Sequence, residues 1–129
     1  MDTAQDYYQN YKTGDIIIKE GETSNGCFIL VSGKVGVYKD LVKVTEIDRQ
    51  GVIFGEISLI LDSPRTATVM ALEDTIVYYI KTDLDTLITK YPSIVNKIMY
   101  NLAEELERNT NDLFATMKLI NIDKLNGDT

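Results

Sequence analysis

Apolar positions along this chain change their period once. From Ile16 to Ile80 they fall in short β-branched or alternating runs between turn residues, and from Leu84 onward they recur at three- and four-residue spacing. The first regime predicts strands and the second predicts helices. Ile16, Ile17 and Ile18 open a strand after the breaker Thr13-Gly14-Asp15. Cys27 to Val31 forms a second strand. Val35 and Val37, with Gly36 and Tyr38 on the opposite face, form a third, and residues 41–48 with Val42, Val44 and Ile47 a fourth. Ser32-Gly33-Lys34 reads as a hairpin turn between the second and third, and Gln50-Gly51 closes the fourth. Ala67 to Ala71 and Thr75 to Ile80 add two more strands around a turn at Glu73-Asp74. Ahead of these, the polar residues 2–12 carry Tyr7, Tyr8 and Tyr11 at a spacing that predicts a short helix packed on the strands.

Short strands punctuated every eight to twelve residues or so indicate a sandwich or barrel rather than a parallel sheet. Thr82 is the expected N-cap of a helix holding Leu84, Leu87 and Ile88, which Tyr91-Pro92 ends. Pro92 suits the first turn of a new helix. That helix carries Ile94, Ile98, Leu102, Leu106, Leu113 and Met117 to about residue 118, roughly 38 Å. Ile94, Ile98 and Leu102 are expected to pack on the strands as core, whereas the later positions continue at near-heptad spacing past what a compact domain needs. Residues Asn121 to Thr129 are polar and expected to fray. The fold class is therefore mainly β with flanking helices. It is a single domain over 1–129, with the β part at about 13–81 and the C-terminal helices at about 82–118.

Composition narrows the function. At 129 residues and 44% apolar, the chain supports one core and leaves no room for a second domain. A net charge of −7 argues against nonspecific binding to nucleic acid or anionic membrane, so any anion must be caught locally. The absence of histidine disfavours haem, copper, catalytic zinc and Ser-His or Cys-His chemistry. The single cysteine, Cys27, cannot hold an iron–sulfur cluster and reads as a small buried apolar residue. No metal is expected. The amino terminus lacks the basic start and apolar run of a signal peptide, and no segment approaches about eighteen consecutive apolar residues. A cytoplasmic protein is the expectation, with neither membrane nor nucleic acid as partner.

The remaining stretch, Phe54 to Val69, reads FGEISLILDSPRTATV. Gly55 can bring its backbone against a ligand, and Glu56 to Leu61 reads as one short helical turn with apolar Ile57, Ile60 and Leu61. The first N–H groups of that turn lack intrahelical partners and favour an anion. Arg65 is the only Lys or Arg between Arg49 and Lys81, and its planar fork suits phosphate oxygens. Glu56 repels a phosphate but can accept from a sugar hydroxyl. An anion end and a hydroxyl end together suggest a ribose phosphate.

FGEISLILDSPRTATV closely resembles the phosphate-binding cassette of cyclic nucleotide-binding domains. Upstream, TGDIIIKEGETSNGCFILVSGKVGVYKD resembles the opening strands of the same family, and the match covers about residues 10–115. The resemblance implies an antiparallel β-roll (jelly roll, or double-stranded β-helix) with a long C-terminal helix. It implies a regulatory module for cAMP or cGMP, with cAMP favoured, and no enzymatic activity. In the cassette running from Phe54 through Pro64 to Ala67, the resemblance makes Gly55, Ile57, Ser58 and Ala67 backbone donors. Arg65 becomes the phosphate fork and Glu56 the acceptor for the ribose 2′-hydroxyl. Thr66 reads either as a β-branched strand residue or as a hydroxyl touching the phosphate or a guanine edge.

In the bacterial catabolite activator group, counting from the proline that opens the long helix, the positions matching Asn109 and Thr110 face the adenine. Asn109 fits a register-setting residue in a dimer seam equally well. The transcription-factor members continue into a helix-turn-helix that this sequence does not show, so direct DNA binding is not expected. Output is expected through an effector protein or a homodimer along the long helix. A β-roll kept only as an interaction scaffold is the alternative, and the intact Glu56 and Arg65 count against it. A nucleotide-processing enzyme is a third class for which no metal or nucleophile set is visible.

Overall fold

Eight strands and three helices account for the regular structure of the computed structural model, which describes residues 6–127. In chain order they are β1 Asp6–Tyr11, β2 Ile16–Ile18, β3 Cys27–Ser32, β4 Val35–Lys39, β5 Val42–Ile47, β6 Ile53–Phe54, α1 Glu56–Leu61, β7 Thr68–Ala71, β8 Thr75–Ile80, α2 Leu84–Lys90 and α3 Pro92–Gly127. The strands form two four-stranded sheets ordered β1-β8-β3-β6 and β2-β7-β4-β5, with every pair antiparallel. The chain divides into two units, the first ending at Tyr91 and the second beginning at Pro92.

Within the first unit, both sheets contribute to one apolar cluster. Ile18, Val35 and Val69 come from one sheet, and Phe28, Leu30, Phe54 and Val77 from the other. Leu30 and Val77 are essentially fully buried, and each such side chain contributes about 1.5–3 kcal/mol relative to exposure. This is the antiparallel β-roll architecture expected of the sequence.

Residues 6–11, expected within an amino-terminal helix, form β1 instead; residues 2–5 of that expected helix lie outside the described residues. Tyr7 pairs with Tyr79 and Tyr8 with Tyr78, with ring centroids 5.7 and 4.9 Å apart in edge-on packing. Aromatic cross-strand pairs of this kind outweigh a weak helical spacing in a polar segment. The Tyr91 hydroxyl, at the end of α2, also donates to Asp6 in β1. The roll thus begins by Asp6 rather than near residue 13.

Ser32-Gly33-Lys34 is not a hairpin turn, because β3 and β4 belong to different sheets. It carries the chain across the roll. A Cβ on Gly33 would lie 2.5 Å from both the Asp74 carbonyl oxygen and Thr75 Oγ1, which explains the glycine. The tight hairpin lies between β4 and β5, where Asp40 and Leu41 both take left-handed φ, 50° and 68°. Such a two-residue turn matches strand twist, yet a leucine in that conformation costs roughly 1–2 kcal/mol. Leu41 therefore leaves the strand it was expected to start.

Two further expectations on the helices change. Asp83 rather than Thr82 caps α2, its Oδ1 accepting from Thr86 N at 2.8 Å. This bond and the accompanying side-chain interaction with Thr86 hold the Asp83 carboxyl below its ordinary range. In the second unit, α3 runs through to Gly127 instead of ending near residue 118. No Gly or Pro intervenes between Pro92 and Gly127, and polar composition alone does not stop a helix.

Candidate functional site

The segment Phe54 to Val69 lies in the first unit and holds α1, the short helical turn expected at Glu56–Leu61, which starts from a glycine. Gly55 precedes α1 with φ 81° and ψ 9°, and its ideal Cβ would come within 3.1 Å of Ile18, 3.2 Å of Arg65 Nη1 and 3.3 Å of Phe28. Both the left-handed backbone and the crowding favour a residue without a side chain. Glu56 and Ile57 follow, each half-buried, and Ser58 is buried. Asp62 closes α1 in a left-handed conformation, with its N–H bonded to Ser58 O. Ser63 N also reaches that oxygen, at 3.1 Å.

After exposed Pro64, the chain is clamped against the β2–β3 loop: Gly21 N donates to Arg65 O and Arg65 N to Glu22 O, both at 2.8 Å. This ladder turns Arg65 inward, where it is only 4% exposed. Its Nε donates to Ser24 Oγ at 2.8 Å. Its Nη1 faces Gly55 O at 2.8 Å, Ser58 Oγ at 2.9 Å and Gly26 O at 3.0 Å. The guanidinium carbon lies 5.8 Å from the Phe28 ring centroid. Phe28 itself is stacked between Phe54 and Tyr79, with centroids 5.3 and 4.7 Å away. All four hydrogen-bond acceptors are uncharged. Burial accordingly lowers the Arg65 pKa, only partly opposed by Tyr79 and Cys27.

Cys27 is fully buried, and desolvation first, then the neighbouring Glu56 carboxylate, pushes its thiol up to about 12. Such a thiol stays protonated and is no nucleophile at neutral pH. Thr66 is exposed and its carbonyl accepts from Lys39 Nζ at 2.9 Å; Ala67 is half-buried just ahead of β7. Phe54 is buried in β6. Asn109 and Thr110 lie in the second unit, both exposed on α3, with Thr110 Oγ1 donating to Leu106 O at 2.9 Å. Ser24, Gly26 and Tyr79 were not singled out from sequence. Gly26 is the one with a readable reason: at φ 104° its Cβ would meet the Ile80 carbonyl oxygen at 2.2 Å.

Behind the cassette, a cavity of about 530 Å³ is lined by Ser24, Ser58 and Pro64 together with Asp62, Asp83 and Asp85. Three carboxylates and no cation in its lining make it hostile to a phosphate. Among the described residues no cluster of His, Cys, Asp and Glu is arranged to hold a metal, and no helix is long and apolar enough to cross a membrane.

A β-roll that buries an arginine beside the glycine opening a short helix fits a regulatory, ligand-binding class of domain. Residues 8–91 match the cyclic nucleotide-binding domain family, and the chain belongs to it. It is 36% identical over 101 residues to a cGMP-dependent protein kinase of Eimeria tenella, covering 78% of this chain and 9% of that one. It is 43% identical over 67 residues to a cAMP-dependent protein kinase regulatory subunit of Debaryomyces hansenii, covering 52% of this chain and 15% of the relative. The chain thus spans only a small part of these relatives. Among solved structures, it resembles cAMP-bound PfPKA-R with TM-score 0.67 and 28% identity, covering 84% of this chain and 37% of that one. The Thermus thermophilus catabolite activator protein gives TM-score 0.72 and 25% identity, covering 85% and 54%.

Proposed function

We propose that this chain reversibly binds a cyclic nucleotide, cAMP in preference to cGMP, and relays the bound state to a partner protein through its C-terminal helix. The observation that carries this reading is the buried Arg65 guanidinium, held by two hydroxyls and two carbonyls that leave its charge uncompensated. Its environment disfavours the cation, and an arriving anion reverses that penalty. A cyclic phosphate has one charge and two exocyclic oxygens, which suits the planar fork.

In this reading the backbone N–H groups of Gly55, Ile57, Ser58 and Ala67 supplement the fork, and Phe54 and Pro64 bound the cassette. Glu56 accepts from the ribose 2′-hydroxyl. Thr66 offers a hydroxyl to the phosphate or the base. Asn109 and Thr110 face the base, and Leu106, Leu113 and Met117, each more than half exposed, form a homodimer seam. The 129 residues act as one regulatory domain, roll and helices together, without catalytic activity.

The cAMP-bound structure named above supports the choice of base, while the cGMP-dependent kinase among the relatives makes cGMP the competing ligand. A scaffold that binds no nucleotide gives no reason to bury a cation among uncharged acceptors. Calorimetric titration with cAMP, cGMP and the open-chain 5′-AMP tests the proposal. Saturable binding of the cyclic nucleotides, tighter for cAMP, is expected; no heat from either cyclic nucleotide overturns it.

A further inference from the structure

We propose that the hydroxyls of Ser24 and Ser58 are positioning groups, which set the plane of the Arg65 guanidinium and thereby which exocyclic oxygen of a bound cyclic phosphate it meets. This rests on the nucleotide-binding reading and extends it to stereochemistry.

The two serines grip Arg65 from different elements, Ser24 from the loop between β2 and β3 and Ser58 from α1. Nε carries one hydrogen, which goes to Ser24 Oγ. Nη1 carries two hydrogens and faces three acceptors, so Ser58, Gly26 and Gly55 compete for them. The guanidinium is planar and rigid, so fixing Nε and Nη1 also fixes the direction of Nη2, which takes part in none of these four bonds. Two of the four acceptors are backbone carbonyls and follow from the path of the chain. The two hydroxyls are the part that side-chain choice supplies. Ser24 is the acceptor holding Nε, and without it the guanidinium can pivot about Nη1.

The loop does not depend on the Ser24 hydroxyl for its place. Gly21 N and Glu22 O are bonded to the Arg65 backbone, and the Tyr79 hydroxyl donates to Asn25 O at 2.6 Å. Ser24 is itself exposed. Ser24→Ala therefore deletes one orienting bond from a loop anchored on both sides, and Ser24→Thr restores a hydroxyl at an exposed position.

The test uses the two phosphorothioate diastereomers of cAMP, in which sulfur replaces one or the other exocyclic oxygen. An oriented fork distinguishes them and a pivoting fork does not. Affinities for cAMP and both diastereomers are measured for the parent, Ser24→Ala, Ser24→Thr and Ser58→Ala. Ser24→Ala is expected to weaken cAMP binding about three- to tenfold and to move the diastereomer ratio at least about threefold toward unity. Ser24→Thr should restore both, and Ser58→Ala should move the ratio in the same direction. A purely structural role lowers both diastereomers together. An unmoved ratio in the alanine variants, a ratio near one in the parent, or failure of Ser24→Thr to restore it overturns the positioning role while leaving nucleotide binding intact. A parent that binds neither cyclic nucleotide overturns the functional reading itself.

Discussion

Replacing Arg65 with alanine should damage the protein in two ways that separate cleanly. Without ligand, four acceptors lose their donor: Ser24 Oγ, Ser58 Oγ, Gly26 O and Gly55 O. Ser24 is exposed and turns to water at little cost. The buried acceptors carry a desolvation penalty of roughly 1–3 kcal/mol each. Against this, the variant no longer buries a cation, and the space left by the side chain is polar enough to admit water. The net loss of stability should be about 1–3 kcal/mol, within the margin of about 5–15 kcal/mol of an ordinary domain. With ligand, the phosphate loses its charge partner in a desolvated setting, which costs about 2–5 kcal/mol. That corresponds to roughly thirtyfold to several thousandfold in Kd.

Lysine at the same position should fall between alanine and arginine. It keeps the charge, but its single nitrogen has three hydrogens for four acceptors and offers no planar fork. Titration calorimetry reads the affinities, and urea unfolding of the ligand-free variants reads stability in parallel. If Arg65→Ala unfolds at lower urea yet binds cAMP within threefold of the parent, Arg65 is a structural residue and the phosphate anchor lies elsewhere.

Four further outcomes are expected. A 2′-deoxy cyclic nucleotide should bind the parent more weakly than the ribose form but lose little further against Glu56→Gln; equal losses in both proteins remove the hydroxyl assignment. Leu41 is 98% exposed at φ 68°, so Leu41→Gly should stabilise the fold by roughly 0.5–1 kcal/mol, and a lower Tm would contradict the strain reading. Sedimentation should show a dimer that Leu106→Glu and Leu113→Glu dissociate while the residues from Phe54 to Ala67 still bind a cyclic nucleotide, and a monomeric parent would end that claim. Cys27, fully buried with its thiol pushed up to about 12, should react with a thiol reagent at neutral pH no faster than the protein opens; a rapid stoichiometric reaction refutes its burial.

The cassette was legible in the sequence because its parts are close along the chain: Gly55, Glu56, Ser58 and Arg65 fall within eleven residues. The helical period after Leu84 and the strands from Ile16 to Ile80 were legible for the same reason, since periodicity is a local property. What failed was decided at a distance. The tyrosines of β1 pair with β8, about seventy residues away, and nothing in residues 6–11 alone announces that partner. Ser32-Gly33-Lys34 has the composition of a hairpin, but whether a turn joins neighbours or crosses between sheets depends on which strands β3 and β4 find. The Arg65 cage obeys the same rule: Ser24 and Gly26 reach it across 41 and 39 residues of chain. A local motif can therefore name the group that meets an anion without showing what orients that group. Two chains sharing all of Phe54 to Val69 but differing at residue 24 would look alike by motif, yet only one would hold Nε in place. On the positioning role proposed for Ser24, differences in phosphate stereoselectivity between such chains would belong to the loop after β2 rather than to the segment Phe54 to Val69 itself.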